Sequence, residues 1–180
     1  MSLRYVAFLR GINLGNRRVK MDQLNAIFAS LGFSDVASLI ASGNVVFTSP
    51  ASSPSEAALT RTVEEGLAQA LGYSVPTMLR TLPAIQQMIA TDPFKDVEVT
   101  KQTRRYVTLL ATPTASTLAL PYTSPDGFYR VLARTDREVF SVLTVTEGAR
   151  TVDAMAMLER EYGKAVTTRN WNTILKLPKA

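Results

Sequence analysis

Three short polar blocks carry the residue types best suited to recognition: Arg10-Gly11-Ile12-Asn13, Ser42-Gly43-Asn44 and Thr167-Thr168-Arg169-Asn170-Trp171-Asn172-Thr173. Together with the loop that follows the first block they hold five of the six asparagines and the single tryptophan. A carboxamide offers a paired donor and acceptor, and a guanidinium offers a rigid cationic fork. Arg17, Arg18 and Lys20 follow the first block and suit an anion, as do free amides at the start of the next helix. The candidate ligand contacts are therefore Arg10, Asn13, Arg17, Arg18, Lys20, Ser42, Asn44, Arg169, Asn170 and Asn172. Each has a local alternative. Asn13 can cap its own loop, Ser42 and Asn44 can close a turn around Gly43, and Thr168 can cap a last helix. Trp171 forms an i, i+3, i+4 face with Ile174 and Leu175 that reads as core, with stacking on a base as the other role. No phosphate-loop signature is present: Gly11-x-x-x-Gly15 matches neither G-x-x-x-x-G-K-[ST] nor G-x-G-x-x-G.

The composition excludes several chemistries. The chain has 180 residues, no cysteine and no histidine. Thiolate nucleophiles, disulfides, the usual zinc ligands and every histidine-containing triad are ruled out. This argues against hydrolytic catalysis and leaves carboxylates, lysine, tyrosine, backbone amides or a carboxylate-bound magnesium ion. No carboxylate pair stands out: Glu159 and Glu161 fall on different helix faces, Asp22 complements a helix start, and Glu64-Glu65 reads as a solvated face. No cofactor or metal is implied. The net charge of +5 favours anionic partners, either nucleic acid or a phosphate-bearing small molecule, although a merely soluble basic protein has the same balance. No apolar run reaches the ~18 residues of a spanning helix, and no signal peptide is visible, so a cytoplasmic protein is expected. Nothing points to a particular protein partner.

The elements that must position the blocks follow from periodicity. Residues 4–10 read as a strand, and Leu24, Ile27, Phe28 and Leu31 mark an amphipathic helix ended by Gly32. Residues 36–41 and 44–48 form a hairpin around Ser-Gly-Asn. Ser53-Pro54-Ser55-Glu56 is a capping-box start for a helix that buries Leu59, Val63, Leu67, Ala70 and Leu71. Residues 73–80 read as a strand and about 83–90 as a short helix. After a junction between about 91 and 103, strands are expected at about 105–111, 127–133 and 137–145. One short helix is expected among Pro113, Pro121 and Pro125, a Thr151-capped helix carries Val152, Met155, Leu158 and Tyr162, and a last helical turn runs from about Arg169 to Leu175.

The fold class is α+β with mostly antiparallel sheets: a ferredoxin-like βαββαβ subdomain at 1–91, then a βαββα-type half at 92–180 ending in a helix. In βαββαβ topology the first and second strands run the same way on either side of the third. The end of strand one and the hairpin between strands two and three thus share a sheet edge. The first two blocks should be neighbours, and the third is unplaced.

The runs Tyr5-Val6-Ala7-Phe8-Leu9-Arg10-Gly11-Ile12-Asn13, Lys20-Met21 with Leu24, Ser42-Gly43-Asn44-Val45-Val46-Phe47, and Arg169-Asn170-Trp171-Asn172-Thr173 resemble the bacterial family numbered 1697 among domains of unknown function. The resemblance runs from the first block to the last. It implies an α+β fold with two ferredoxin-like halves and no activity to carry over. In the family pattern a second glycine stands where this chain has Asn16, so a glycine-dependent backbone contact is not expected there. Three readings stand: a binding module for an anionic ligand, an enzyme without histidine or cysteine chemistry acting on a phosphate- or carboxylate-bearing substrate, and purely structural blocks that lock the two halves.

Overall fold

The computed structural model describes residues 2–39, 43–50, 55–146 and 151–180. The chain divides into two compact units, Met1–Gln87 with Lys176–Ala180, and Met88–Leu175.

In the first unit β1 (Leu3–Leu9), α1 (Met21–Ser30), β2 (Ser34–Leu39), β3 (Asn44–Ser49), α2 (Glu56–Leu71) and β4 (Thr77–Thr81) follow one another, and α3 (Leu82–Thr91) begins at the end of β4. The sheet order is β2-β3-β1-β4, antiparallel at each pairing, which is the split arrangement expected of βαββαβ. α1 buries Leu24, Ile27 and Phe28, and α2 buries Leu59, Val63 and Leu67, both against Tyr5, Ala7, Val45 and Phe47 of the strands. The Phe33 and Phe47 rings stand 4.5 Å apart, and Phe28 packs on Phe47 at 5.3 Å. A large side chain buried this way contributes about 1.5–3 kcal/mol. Gly66 permits the approach of α2: a Cβ there would lie 2.5 Å from a Leu31 methyl. α2 starts at Ser55, whose hydroxyl accepts from the Ala58 amide, and ends at Gly72 in the left-handed conformation. The Ser53-Pro54 part of the expected capping box lies outside the described residues. β4 begins later than expected, at Thr77, and Glu64 is not merely solvated: its carboxylate accepts from the Thr77 amide at 2.8 Å.

The second unit holds β5 (Thr103–Leu110), β6 (Tyr122–Thr123), β7 (Tyr129–Arg134), β8 (Glu138–Thr144), α4 (Thr151–Tyr162), β9 (Val166–Asn170) and α5 (Trp171–Ile174). Its antiparallel sheet runs β6-β7-β8-β5-β9. Without β6 this is the first unit's order repeated: β5, β7, β8 and β9 stand where β1, β2, β3 and β4 stand. The first crossover differs. No helix forms among Pro113, Pro121 and Pro125; residues 111–121 are irregular. Prolines lack the amide a helix interior needs. Arg134 fastens this connection instead, donating to the Ser116 hydroxyl and the Leu118 carbonyl, both at 3.0 Å.

The chain's end also departs from expectation. Val166–Asn170 is a strand paired along β5, with Tyr106 opposite Asn170 and Leu110 opposite Val166, so helix begins only at Trp171. The cap of that helix is Asn170, not Thr168. Val166-Thr167-Thr168 is β-branched throughout and fits a pleated surface, which outweighs the helical spacing of Trp171 and Ile174. The proposed Thr151 cap involves a side chain outside those described. No helix among the described residues is long and apolar enough to cross a membrane.

Candidate functional site

The first two blocks meet at one edge of the first sheet. β1 pairs with β3 so that Phe8 lies opposite Asn44, and the Leu9 amide donates to the Gly43 carbonyl at 2.8 Å. The Arg10 amide donates to the Pro76 carbonyl at 2.8 Å. Gly43 has φ +78, and Ile12 sits directly over it: a Cβ at Gly43 would come within 2.8 Å of the Ile12 Cγ2 and 3.0 Å of the Leu9 Cβ. Glycine is thus required twice, by its dihedral angle and by the close approach of Ile12. Ser42 lies outside the described residues.

The asparagines serve the backbone. The Asn13 Oδ1 accepts from the Val19 amide at 2.8 Å and draws the ends of the loop together. Asn44 is fully buried, and its Nδ2 donates to the Leu39 carbonyl at 3.1 Å, tying the first residue of β3 to the last of β2. A buried carboxamide needs such partners, because leaving it unpaired costs about 1–3 kcal/mol.

Tyr73 braces the loop from outside it. Its hydroxyl donates to the Ile12 carbonyl at 3.1 Å, and the Arg17 guanidinium lies 4.0 Å over its ring. Nothing local marks Tyr73 for this role; it follows the α2 cap, and only the fold brings it under residues sixty positions earlier. Arg18 donates to the carbonyls of Gly15 (3.2 Å) and Arg17 (2.9 Å). The outcome is a loop held at both ends and from below, with Arg17, Arg18 and Lys20 exposed on it and Arg10 half-buried at its start. Lys20 caps α1 through backbone geometry alone, without a side-chain cap bond. The first 21 residues contain Arg4, Arg10, Arg17, Arg18 and Lys20 and no carboxylate.

The hollow beneath this loop is small. It is lined by Ile12, Asn13, Val19, Met21, Leu24, Ser38 and Gly43 and holds about 10 Å³. That is at most one water, and its lining includes neither a carboxylate nor a cation.

The third block belongs to the second unit. Arg169 is 7 % exposed, and its Nη1 donates to the Thr167 hydroxyl at 2.7 Å and the Thr168 carbonyl at 3.0 Å. Burial pushes its pKa down to about 10, so it remains a cation at neutral pH. The Asn170 Oδ1 accepts from the Asn172 amide at 2.9 Å, and the exposed Asn172 receives a long contact from Arg105 at 3.5 Å. The Thr108 and Thr168 hydroxyls join β5 to β9 at 2.7 Å. Trp171 is 2 % exposed, with its ring edge-on to Phe94 at 5.1 Å, so it is core and not a free stacking platform.

Residues 2–140 match the family described as "Protein of unknown function (DUF1697)". The chain belongs to the DUF1697 family. The matched span takes in the first two blocks and ends before the third. A solved structure of a conserved bacterial protein from Streptococcus pneumoniae has the same fold, with a TM-score of 0.72 and 21% identity over 99% of this chain and 98% of that one. No curated protein matches. The DUF1697 match accordingly covers the residues that build the basic loop: the β1 strand end, Asn13, Gly43 and Asn44. Among the described residues no group of three carboxylates is placed to hold a metal ion.

Proposed function

We propose that the β1–α1 loop of the first unit is a binding element for the phosphate backbone of a nucleic acid. One observation carries the reading: a loop tied down by Asn13, Tyr73 and Gly43 presents Arg17, Arg18 and Lys20 to solvent within a stretch free of carboxylates. The ordering cost of the loop is met in folding, so its cations reach a polyanion already positioned. The hollow of about 10 Å³ disfavours an enclosed phosphorylated small molecule, whereas an extended polyanion needs no cavity. The asparagines in this reading shape the loop and do not contact the ligand.

Fluorescence anisotropy with single- and double-stranded DNA and RNA oligomers, at salt concentrations of about 50 and 200 mM, tests it. Affinity should fall steeply with salt, and Arg17→Ala/Arg18→Ala/Lys20→Ala should reduce the log–log salt slope by about 2–3. No binding at the lower salt, or an unchanged slope in the triple variant, would overturn the proposal. A mononucleotide that binds as tightly as an oligomer would transfer the site to a small phosphorylated ligand.

A further inference from the structure

The second unit contains a larger cavity, remote in sequence from the basic loop, of about 170 Å³. An engineered apolar cavity of about 150 Å³ takes up benzene, so this volume accommodates one aromatic ring. Its walls suit a ring. Tyr122, Phe128 and Tyr129 come from the β6–β7 hairpin, Leu143 from β8, and Ala154 and Met157 from α4. Ala154, Met157 and Arg160 succeed one another at intervals of three on α4, which places them along one helix edge.

The rim is charged with both signs. The β6–β7 turn is Ser124-Pro125-Asp126-Gly127, closed by the Gly127 amide on the Ser124 carbonyl at 2.8 Å, with Gly127 at φ +76. Asp126 receives the Ser124 hydroxyl and the Phe128 amide on its Oδ1. The Ser124 hydroxyl, then the Phe128 amide, hold its carboxyl below the ordinary range, so it is ionised at neutral pH. Arg160 is exposed and has no hydrogen bond or ion pair among the described residues.

Tyr129 forms part of the wall but is itself 4 % exposed, with its hydroxyl buried beside that of Ser141. Tyr129 and Tyr162 share one core cluster, and Ser141 lies opposite Val131, two residues along β7 from Tyr129. The wall offers a ligand the aromatic faces of Tyr122 and Phe128, and the polar contacts stand on the rim.

We propose that this cavity binds a small aromatic zwitterion, an aromatic amino acid, for which L-tyrosine is the probe. The ring lies among Tyr122, Phe128, Tyr129 and Met157, the carboxylate on Arg160 and the ammonium on Asp126. The site shares no residue with the basic loop and is independent of nucleic-acid binding.

The experiment is titration of the full chain with L-tyrosine, tyramine, 4-hydroxyphenylpropionate and phenol, followed by calorimetry and by amide shifts in NMR. L-tyrosine should bind saturably, and removing its carboxylate or its ammonium should weaken binding about tenfold each, equivalent to about 1.4 kcal/mol. Arg160→Ala should weaken tyrosine similarly but no longer distinguish it from tyramine, as expected of a coupled pair. Ala154→Leu should fill the cavity and abolish binding while its thermal transition is retained. Arg160 is on the surface, so its variant keeps the test decisive even if Ala154→Leu does not fold. Absence of saturable tyrosine binding, phenol binding as tightly as tyrosine, or Arg160→Ala still discriminating tyrosine from tyramine would each overturn the proposal.

Discussion

Arg80 and Arg169 are counterparts. Each is the fourth residue of a five-residue strand, β4 or β9, that pairs with the first strand of its own unit, opposite Val6 or Val107. Each is buried, at 3 % and 7 % exposure, and each donates its Nη1 to the carbonyl of the residue before it, Leu79 at 2.7 Å or Thr168 at 3.0 Å. In both cases one capping residue follows, Thr81 or Asn170, and then a helix. The repeated sheet order therefore extends to a shared strand–arginine–cap–helix corner. It is a residue-level echo that a search for sequence repeats passes over, because Leu-Arg-Thr-Leu and Thr-Arg-Asn-Trp share only the arginine.

The fork is the part of this corner that a lysine cannot replace. Arg80→Lys and Arg169→Lys should each lower stability by about 1–3 kcal/mol, since a buried ammonium cannot spread its donors over a planar array of acceptors. Urea unfolding midpoints measure this. A loss below about 0.5 kcal/mol in both variants would show that burial of charge, not the fork, is what the corner requires.

Gly43→Ala should destabilise the first unit by about 1–3 kcal/mol, through the positive φ and the collision with Ile12. Ile12→Ala carries its own cavity cost but removes the nearest clashing atom. In a double-mutant cycle the two changes together should therefore cost less than their sum. Strict additivity would leave backbone strain as the whole effect.

Asn13→Ala should free the Val19 amide. Hydrogen exchange at that amide should quicken about tenfold, the equivalent of roughly 1.4 kcal/mol, while the protection of Val45 and Val46 in β3 is unchanged. Asn13→Asp keeps the acceptor and should preserve protection. Equal exchange in wild type and Asn13→Ala would refute the bracing role of this side chain.

Burial of Tyr129 pushes its phenol up to about 12 from an ordinary value of 10, with only partial relief from the nearby Ser141 hydroxyl. The unfolded chain ionises first on the alkaline side and so binds fewer protons there than the folded one. The contribution of neutral Tyr129 is complete below pH 10 and is lost as the pH rises to about 12, amounting to roughly 2–3 kcal/mol. Tyr129→Phe should flatten this part of the stability profile, followed by urea denaturation at a series of alkaline pH values. An unchanged profile would place the alkaline loss elsewhere.

Much of the architecture was decided locally. The helical spacing of Leu24, Ile27 and Phe28, the Gly72 terminator and the short continuous apolar runs of β1 and β3 specify elements whose order permits few antiparallel sheets. The meeting of Gly11-Ile12-Asn13 with Gly43-Asn44 followed from that topology alone, because strand direction determines which strand ends share an edge. The composition likewise settled what chemistry is unavailable, since no fold supplies an absent histidine or thiol.

Contacts distant in sequence decided the rest. Val166–Asn170 becomes a strand because β5, some sixty residues earlier, offers its free edge, and the helical spacing around Trp171 could not reveal that partner. Glu64 reads as a surface residue until the Thr77 amide arrives beside it, and Tyr73 as an ordinary strand residue until Ile12 and Arg17 lie over it. The asparagines were visible as a group but not their roles: a carboxamide serves a ligand or a backbone equally well, and only the position of the Val19 amide and the Leu39 carbonyl determines which. Side-chain type sets what a residue can bond; the tertiary structure sets which partner lies within about 3 Å of it.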